Sequence, residues 1–259
     1  MTELHVDDAD GVRTIALDRP ESKNGLTVAV VRAYAQAILQ RPGDTRVLVL
    51  GGRNGAFCSG LDLKDAKARG LSPGPELERG LREDFHGLIR VVHGATCPTI
   101  AAVDGSAAGF GCDLALACDI RIISERATFG ELFVRRGLMP DGGGTWLLPR
   151  LVGLGRAVDL MLTGDVIDAK EAIRIGLATR IVPVAEHATR VAELAAGLAN
   201  GPPLAYRAIK QAVYASADGS LDAALEREAT GQLALLVSED FDEGVTAFLQ
   251  KREPKFRGQ

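Results

Sequence analysis

Residues 99–119, TIAAVDGSAAGFGCDLALACD, constrain the fold more than any other stretch of this sequence. A short apolar run ends at Asp104, small residues and glycines continue to Gly111, and a helical pattern begins there. This order predicts a strand, a glycine-rich turn and the first turn of a helix, whose backbone N–H groups have no intrahelical acceptor. Gly109 and Gly111 leave that backbone open to a close ligand. The stretch therefore predicts a site for an oxygen that carries or develops negative charge.

The composition is that of an ordinary globular protein, and it argues against several classes of function. Of the 259 residues, 46% are hydrophobic and 25% are charged, and the net charge of −4 argues against nucleic-acid binding. No apolar run approaches the roughly 20 residues of a membrane span, and the acidic start is unlike a signal peptide, so we expect a cytoplasmic protein that binds no membrane. None of the four cysteines has the C-x2-C spacing typical of zinc sites, so we expect no metal.

The hydrophobic pattern alternates between strands and helices up to about residue 184 and indicates only helices after it. In the first part it predicts a hairpin at residues 5–17 and a helix at residues 27–40 that Thr27 caps. It also predicts a buried strand at residues 46–50, another strand at 120–123 and a polar loop at 66–75. Three further helices are predicted at residues 76–93, 146–151 and 155–162. In the second part it predicts helices at residues 187–199, 203–214, 221–237 and 238–250. Their apolar faces, which include Leu221, Leu225, Leu233 and Leu236, suit packing against another subunit.

Six motifs resemble, in collinear order, those of the crotonase superfamily, the enoyl-CoA hydratase/isomerase family. The strongest are AFCSGLDL, VDGSAAGFGCDLALACDIRI and GLMPDGGGTWLLPRLVG, at residues 56–63, 103–122 and 137–153. Three others lie at residues 17–27, 162–178 and 243–256, so the resemblance covers essentially the whole chain. It implies an α/β fold, a crotonase-like spiral of ββα units. It also implies an acyl-CoA-binding, catalytic core at residues 1–195 and a C-terminal helical trimerisation region at residues 196–259.

The resemblance implies that the substrate is an acyl-CoA thioester held in an oxyanion hole. By position, the donors are the backbone N–H groups of Leu61 and Phe110. They would stabilise the enolate that forms when an α-proton leaves, each by something like 3 kcal/mol. No cofactor is implied besides the coenzyme A that the substrate carries. The implied partners are this acyl-CoA and further copies of the chain, in a homotrimer or a hexamer built as a dimer of trimers.

The carboxylates decide which reaction is expected. Hydratases of the family use two glutamates, and the matching positions here are Asp113 and Phe133, so one carboxylate is shortened and the other is missing. Glu131 lies two residues before Phe133, which in a strand would keep it on the same face and in a helix would rotate it away. Asp141 follows Pro140 and resembles the catalytic aspartate of several isomerase branches. Such a carboxylate can move a proton between two carbons, and Phe133 would exclude water from it and raise its basicity.

The expected function is therefore enoyl-CoA double-bond isomerisation with Asp141 as proton shuttle. The alternatives are an enoyl-CoA hydratase, with Asp113 and possibly Glu131 holding the water, and a weakly catalytic acyl-CoA-binding protein. Simpler interpretations stay open for each residue: Asp141 as N-cap of a helix that starts at Gly142, Asp113 as a charge that suits a helix N-terminus, and Glu131 as a polar neighbour or ion-pair partner. His86 is interpreted as a base, a pocket-lining residue or a surface residue.

The contacts with coenzyme A follow from the resemblance alone. The residues expected to bind substrate are Lys23, Ala56, Ser59, Gly60, Asp62, Leu63, Gly109, Phe133, Phe248 and Lys251. Phe248 and Lys251 would come from a neighbouring subunit, where an aromatic ring suits adenine and a lysine suits phosphate. A solvated helix end explains Lys251 equally well.

Overall fold

Within residues 3–70, 74–217 and 219–259, which the structure, a computed structural model, describes, ten strands form two sheets. The strands are β1 (Leu4–Ala9), β2 (Val12–Leu17), β3 (Val47–Gly52), β4 (Ala56–Cys58), β5 (Thr99–Val103), β6 (Ser106–Ala108), β7 (Ile120–Ser124), β8 (Thr128–Gly130), β9 (Val166–Asp168) and β10 (Arg180–Val182). The first sheet has the order β1-β2-β3-β5-β7-β10 and the second has the order β4-β6-β8-β9. In each sheet one edge strand, β1 or β9, is antiparallel and the remaining pairs are parallel.

Helices cover the sheets and form the whole end of the chain. They are α1 (Val28–Leu39), α2 (Leu63–Arg69), α3 (Pro75–Arg79), α4 (His86–His93), α5 (Phe110–Leu116), α6 (Gly144–Val152), α7 (Leu154–Thr163), α8 (Ala169–Arg174), α9 (His187–Ala199), α10 (Pro203–Ser216), α11 (Leu221–Leu236) and α12 (Glu239–Gln250). A π-helical segment, Gly80–Phe85, joins α3 to α4. Across the part of the chain that is described, no helix combines the length and the apolarity that crossing a bilayer requires.

The first sheet is covered on both faces, which explains why β3 reads VLVL without alternation. On one face, Ile15, Leu48 and Leu50 belong to the large core that includes α1, α4 and the second sheet. On the other face, Val47 and Val49 pack in a smaller core with residues of α9. The parallel strands are therefore buried on two sides, as the crossover helices require.

The structure confirms the α/β class, the hairpin, the cap and most of the helices. Thr27 caps α1, because its hydroxyl oxygen accepts a hydrogen bond from the Val30 N–H. The prediction of a polar loop at residues 66–75 is wrong at both ends, since α2 continues to Arg69 and α3 starts at Pro75; residues 71–73 lie outside the described ranges. The second sheet was not predicted, because four strands of three residues are too short for a hydrophobic period to show. The division at residue 195 stays a prediction.

The C-terminal helices leave large apolar side chains in contact with solvent. Leu221 and Leu233 of α11 are 73% and 67% exposed, and Phe248 of α12 is 82% exposed. Leu225 and Leu236 are also exposed. A face of this kind is unusual for a chain that stays alone in solution.

Candidate active site

The candidate site lies where three parallel strands of the second sheet end. β4, β6 and β8 are neighbours, so their carboxyl ends meet at one edge. The segments that leave this edge are residues 59–62, 109–111 and 131–133. Leu61, Phe110 and Glu131 come together because of this strand order, although they are far apart in the sequence. Carboxyl ends of parallel strands are the usual place for ligand sites in α/β proteins.

The first two segments touch each other so closely that glycine is required. A Cβ atom on Gly60 would lie 2.7 Å from the Ala108 carbonyl oxygen and 3.3 Å from the Phe110 nitrogen. A Cβ atom on Gly111 would lie 2.2 Å from the Cys58 carbonyl oxygen. Gly60 also has a φ of +83°, which side-chain-bearing residues rarely adopt. The backbone of Gly60 therefore runs directly past the Phe110 N–H group.

Two backbone donors are free at this contact. Leu61 forms a parallel bridge with Leu26, but the bonds are made by its neighbours: the Leu26 N–H donates to the Gly60 carbonyl, and the Asp62 N–H donates to the Leu26 carbonyl. Phe110 is the first residue of α5, so its N–H has no intrahelical acceptor. Across the described ranges, no hydrogen bond is donated by the Leu61 or the Phe110 N–H. Two free N–H groups on adjacent segments are the arrangement that stabilises an oxyanion.

Asp113, in the first turn of α5, is fully buried and holds the third motif in place. Its Oδ2 atom accepts a hydrogen bond of 2.9 Å from the Gly142 N–H, across 29 residues of sequence. Burial raises the pKa of this carboxyl well above its ordinary value, and the neighbouring charge of Glu131 raises it further. The interpretation of Asp113 as only a favourable charge at a helix N-terminus is therefore incomplete, since it bonds to the loop that carries Asp141.

Glu131 lies beside Asp113, and sequence reasoning underrated it. It is neither in a strand nor inside a helix but directly after β8, before a 3-10 turn at Leu132–Arg136. Only 2% of its surface is exposed. Burial raises its pKa to about 7. The expectation of an ion-pair partner is wrong, because the ion pairs of the described ranges do not include Glu131.

Phe133 and Phe110 supply apolar walls beside the free donors. Phe133 is 8% exposed, and its ring lies 3.8 Å from the position of a Cβ atom on Gly109. The Phe110 ring packs edge-on against Phe85, with 5.0 Å between the ring centroids. Gly109 has a φ of +53° and directs the chain from β6 into α5. The site is therefore apolar around the two N–H groups, which strengthens an electrostatic contact formed there.

Asp141 differs from the other two carboxylates because it is only half-buried. It does not cap a helix: α6 begins at Gly144 and Gly143 occupies the N-cap position, so the N-cap interpretation is wrong. Burial raises the pKa of Asp141, and the nearby charge of His86, itself half-buried on α4, offsets part of that rise. The charge of His86 thus acts on Asp141, which is the most exposed of the three carboxyl groups.

The first polar loop is joined to the donor segment. The Ser59 hydroxyl donates to the Ser22 carbonyl at 2.8 Å, and the Ser59 N–H donates to the Lys23 carbonyl at 3.1 Å. The Lys23 side chain is exposed, on a backbone with a φ of +51°. Leu63, the first residue of α2, is 44% exposed. Lys23 and Leu63 are thus free to contact a ligand, and their role stays a prediction.

Two other predicted contact residues have structural partners. Asp62 caps α2 by accepting from the Lys64 and Asp65 N–H groups, and it pairs with Arg19 at 3.1 Å. Ala56 is buried in β4, and its carbonyl accepts a hydrogen bond of 2.7 Å from the Asn24 amide. Phe248 and Lys251 lie exposed at the end of α12, so a contribution to a neighbouring subunit stays a prediction.

Comparison with known proteins finds relatives over nearly the whole length of the chain. A family model described as enoyl-CoA hydratase/isomerase matches residues 7–259. A protein named probable enoyl-CoA hydratase, from Rhodobacter capsulatus, is 44% identical over 97% of this chain and 96% of its own length. The 1,2-epoxyphenylacetyl-CoA isomerase of Escherichia coli is 38% identical over 96% of both chains. The crystal structure of enoyl-CoA hydratase from Bacillus anthracis superposes with a TM-score of 0.94 at 33% identity, covering 100% of both chains.

Proposed function

Because the chain belongs to the enoyl-CoA hydratase/isomerase family, we propose that it isomerises the double bond of an enoyl-CoA thioester, with Asp141 as the proton shuttle. One observation carries this choice among the family's reactions. Asp113 and Glu131 are 0% and 2% exposed, whereas Asp141 is only half-buried. A group that takes a proton from a substrate carbon must reach that carbon.

The proposed reaction begins with the thioester oxygen between the Leu61 and Phe110 N–H groups. The Asp141 carboxylate removes the α-proton of a 3-enoyl-CoA, and the electron pair of the broken C–H bond moves into the conjugated system. Negative charge then develops on the thioester oxygen, where the two donors stabilise it by about 3 kcal/mol each. The Asp141 carboxyl returns the proton to the γ-carbon, which leaves the double bond between the α- and β-carbons. No net oxidation occurs and no water is added.

The surroundings of Asp141 support this role. Partial burial raises the pKa of its carboxyl, which makes the carboxylate a stronger base than an exposed one. Phe133 and Phe110 exclude water from the neighbouring donors, which disfavours hydration of the intermediate. The name of the Escherichia coli relative, an isomerase of an acyl-CoA, also supports isomerisation.

Hydration of a 2-enoyl-CoA is the second candidate. The relative from Rhodobacter capsulatus is named a probable hydratase, and two neighbouring carboxyls, Asp113 and Glu131, are present. Against this candidate stands their burial, because a pair that holds a water over the substrate must share a cavity with it. We therefore rank hydration below isomerisation.

The setting of the enzyme completes the proposal. The transfer is redox-neutral, so the proposal includes no cofactor besides the coenzyme A of the substrate. The exposed apolar side chains of α11 and α12 support assembly into a trimer or a dimer of trimers, in which Phe248 and Lys251 would reach the coenzyme A of a neighbour. We also propose a cytoplasmic location.

The test is a comparison of two substrates with the purified protein. A 3-enoyl-CoA and crotonyl-CoA are incubated separately, and the products are separated by chromatography with mass detection. Isomerisation yields a 2-enoyl-CoA of unchanged mass, whereas hydration adds the mass of one water. Consumption of crotonyl-CoA alone would refute the isomerase proposal. Tight binding of both thioesters with no turnover would instead favour an acyl-CoA-binding protein.

A further inference from the structure

The Asp113 and Glu131 carboxyls form a buried pair beside the loop that carries Asp141. A Cβ atom placed on Gly144 would lie 2.1 Å from Asp113 Oδ1 and 3.3 Å from Glu131 Oε1, so both oxygens crowd the same point of the helix start. Apart from each other and the Cys112 thiol, these two oxygens and Glu131 Oε2 have no hydrogen-bond partner within the described ranges. The proposed proton shuttle does not use these two groups. Their burial therefore needs an explanation of its own.

The groups around the pair leave its charge uncompensated. Within the described ranges no cation forms an ion pair with Asp113 or Glu131. The titratable groups that face the pair are the Cys112 thiol on α5 and Asp141 before α6, and the charge of His86 on α4 acts on Asp141. Burial raises the pKa of the Cys112 thiol well above its ordinary value, so it is neutral.

The arginines on neighbouring elements do not compensate the charge of the pair. Arg135 and Arg136 of the turn after Glu131 are exposed, and Arg150 of α6 lies over the Trp146 ring, 4.0 Å from its centroid. On β4, the Cys58 thiol has a pKa raised to about 12 by burial and is also neutral. Two ionised carboxylates side by side without a counter-ion are strongly disfavoured, as in other carboxyl pairs that share one proton.

We propose that Asp113 and Glu131 share a single proton near neutral pH and act together as positioning residues for Asp141. Asp113 Oδ2 accepts the Gly142 N–H, which belongs to the peptide unit that follows Asp141, so the pair fixes the backbone of the proton shuttle. Its second oxygen lies beside Glu131, where the shared proton satisfies oxygen atoms that have no partner other than the Cys112 thiol. The positioning role rests on the proposed function of Asp141, whereas the shared proton does not.

This arrangement has a consequence for catalysis. When the pair loses its proton, a second negative charge appears behind Asp141 and close to the donors that stabilise the enolate. That charge opposes the formation of another anion in the site, and it repels the ionised form of Asp141. The turnover rate is therefore expected to fall as the pH rises above about 7, where Glu131 loses its proton. Activity depends on a proton that never reaches the substrate.

The kinetic test is the pH profile of kcat for a 3-enoyl-CoA in the wild type and in Glu131→Gln. Glutamine keeps the shape of the side chain and cannot ionise. We expect the alkaline limb to move upward by about one pH unit or more in the variant, because the second charge no longer forms. An alkaline limb that stays in place would overturn the assignment.

Asp113→Asn and Asp113→Ala test the bond to Gly142, since asparagine keeps an acceptor oxygen and alanine removes it.

For the Asp113 variants we expect kcat to fall about tenfold or more in Asp113→Ala and to be partly rescued in Asp113→Asn, with KM changed less than kcat. Equal loss in both variants would contradict positioning through the Gly142 N–H. Circular dichroism checks that each variant is folded. If Asp113→Ala does not fold, the asparagine and glutamine variants still decide the question.

An infrared titration of the free protein tests the shared proton without any activity. A protonated carboxylic acid has a carbonyl stretch distinct from that of a carboxylate. At pH 6 we expect this band in the wild type and in Asp141→Asn, and its loss or shift in Glu131→Gln. Absence of the band from the wild type at pH 6 would overturn the shared proton. A protein that shows the band but does not turn over a 3-enoyl-CoA would refute the isomerase proposal and leave the pair standing.

Discussion

The carboxylates at one sheet edge fall into two groups, the buried pair Asp113 and Glu131 and the half-buried Asp141. All three belong to segments that meet around the start of α6, and all three have a raised pKa because of burial. They differ in their neighbours: Asp113 and Glu131 lie beside each other, whereas the nearby charge that acts on Asp141 includes that of His86. In the proposed roles, the same functional group holds a loop in the pair and moves a proton at Asp141. Surroundings, more than residue type, separate these roles.

The substitution Asp141→Asn tests the proposed role of Asp141 as the catalytic base and has the largest expected effect. Asparagine keeps the size of the side chain but cannot accept the α-proton. We expect kcat for a 3-enoyl-CoA to fall by about 10²–10⁴-fold, the range typical of a lost general base. The affinity for an acyl-CoA, measured by calorimetry, should change little, because the two backbone donors are untouched.

The matched control for this substitution is Asp165→Asn, which removes the same charge from an exposed residue after α7. It should leave kcat within about twofold of the wild type, since solvent and salt screen the charge of an exposed side chain. If Asp141→Asn retained full turnover while Asp165→Asn behaved as expected, Asp141 would lose its role and one of the buried carboxyls would have to be reconsidered.

The pH dependence of folding stability tests whether the buried Glu131 carboxyl keeps its proton in the folded chain. Below about pH 4.5, Glu131 is protonated in both the folded and the unfolded chain. As the pH rises to about 7, the unfolded chain loses this proton and the folded chain keeps it. Folding stability therefore falls over this window, by up to about 1.4 kcal/mol per pH unit for one proton. Above that window the contribution no longer changes with pH.

Urea denaturation at a series of pH values and a fixed protein concentration measures this effect. In Glu131→Gln the free energy of unfolding should fall less steeply between about pH 4.5 and 7 than in the wild type. Glu125→Gln, at an exposed position after β7, is the control and should follow the wild-type slope. Equal slopes in all three proteins would show that Glu131 ionises in the folded chain as readily as in the unfolded one.

The same comparison explains what the sequence could predict about the site. The two free N–H groups, of Leu61 and Phe110, could be located from the sequence because each lies next to a glycine at the end of a strand. That pattern is visible within a single motif in each case. The choice of Asp141 came from the Pro140-Asp141 pattern and its resemblance to isomerases, and its catalytic role stays a prediction. The first sheet was predictable in part, because runs such as VLVL in β3 are long enough to show their burial.

The position of Glu131 was not predictable from its own neighbourhood. Its placement depends on β8, a strand of three residues, lying parallel to β6 and delivering the next residue to the edge that β4 also reaches. Pairing between such short strands is a long-range property with no period in the sequence. The buried pair is therefore a product of topology.

The substitution His86→Gln tests whether the charge of His86 acts on the half-buried Asp141, and it has the smallest expected effect. In its charged form His86 lowers the pKa of Asp141, against the rise caused by burial. Glutamine removes that charge, so the pKa of Asp141 should rise and the acid limb of the kcat profile should move to higher pH, by about half a unit. His5→Gln, at an exposed position on β1, should leave the limb unchanged. A hundredfold loss at every pH in His86→Gln would instead make His86 a catalytic base that shares the proton transfer proposed for Asp141.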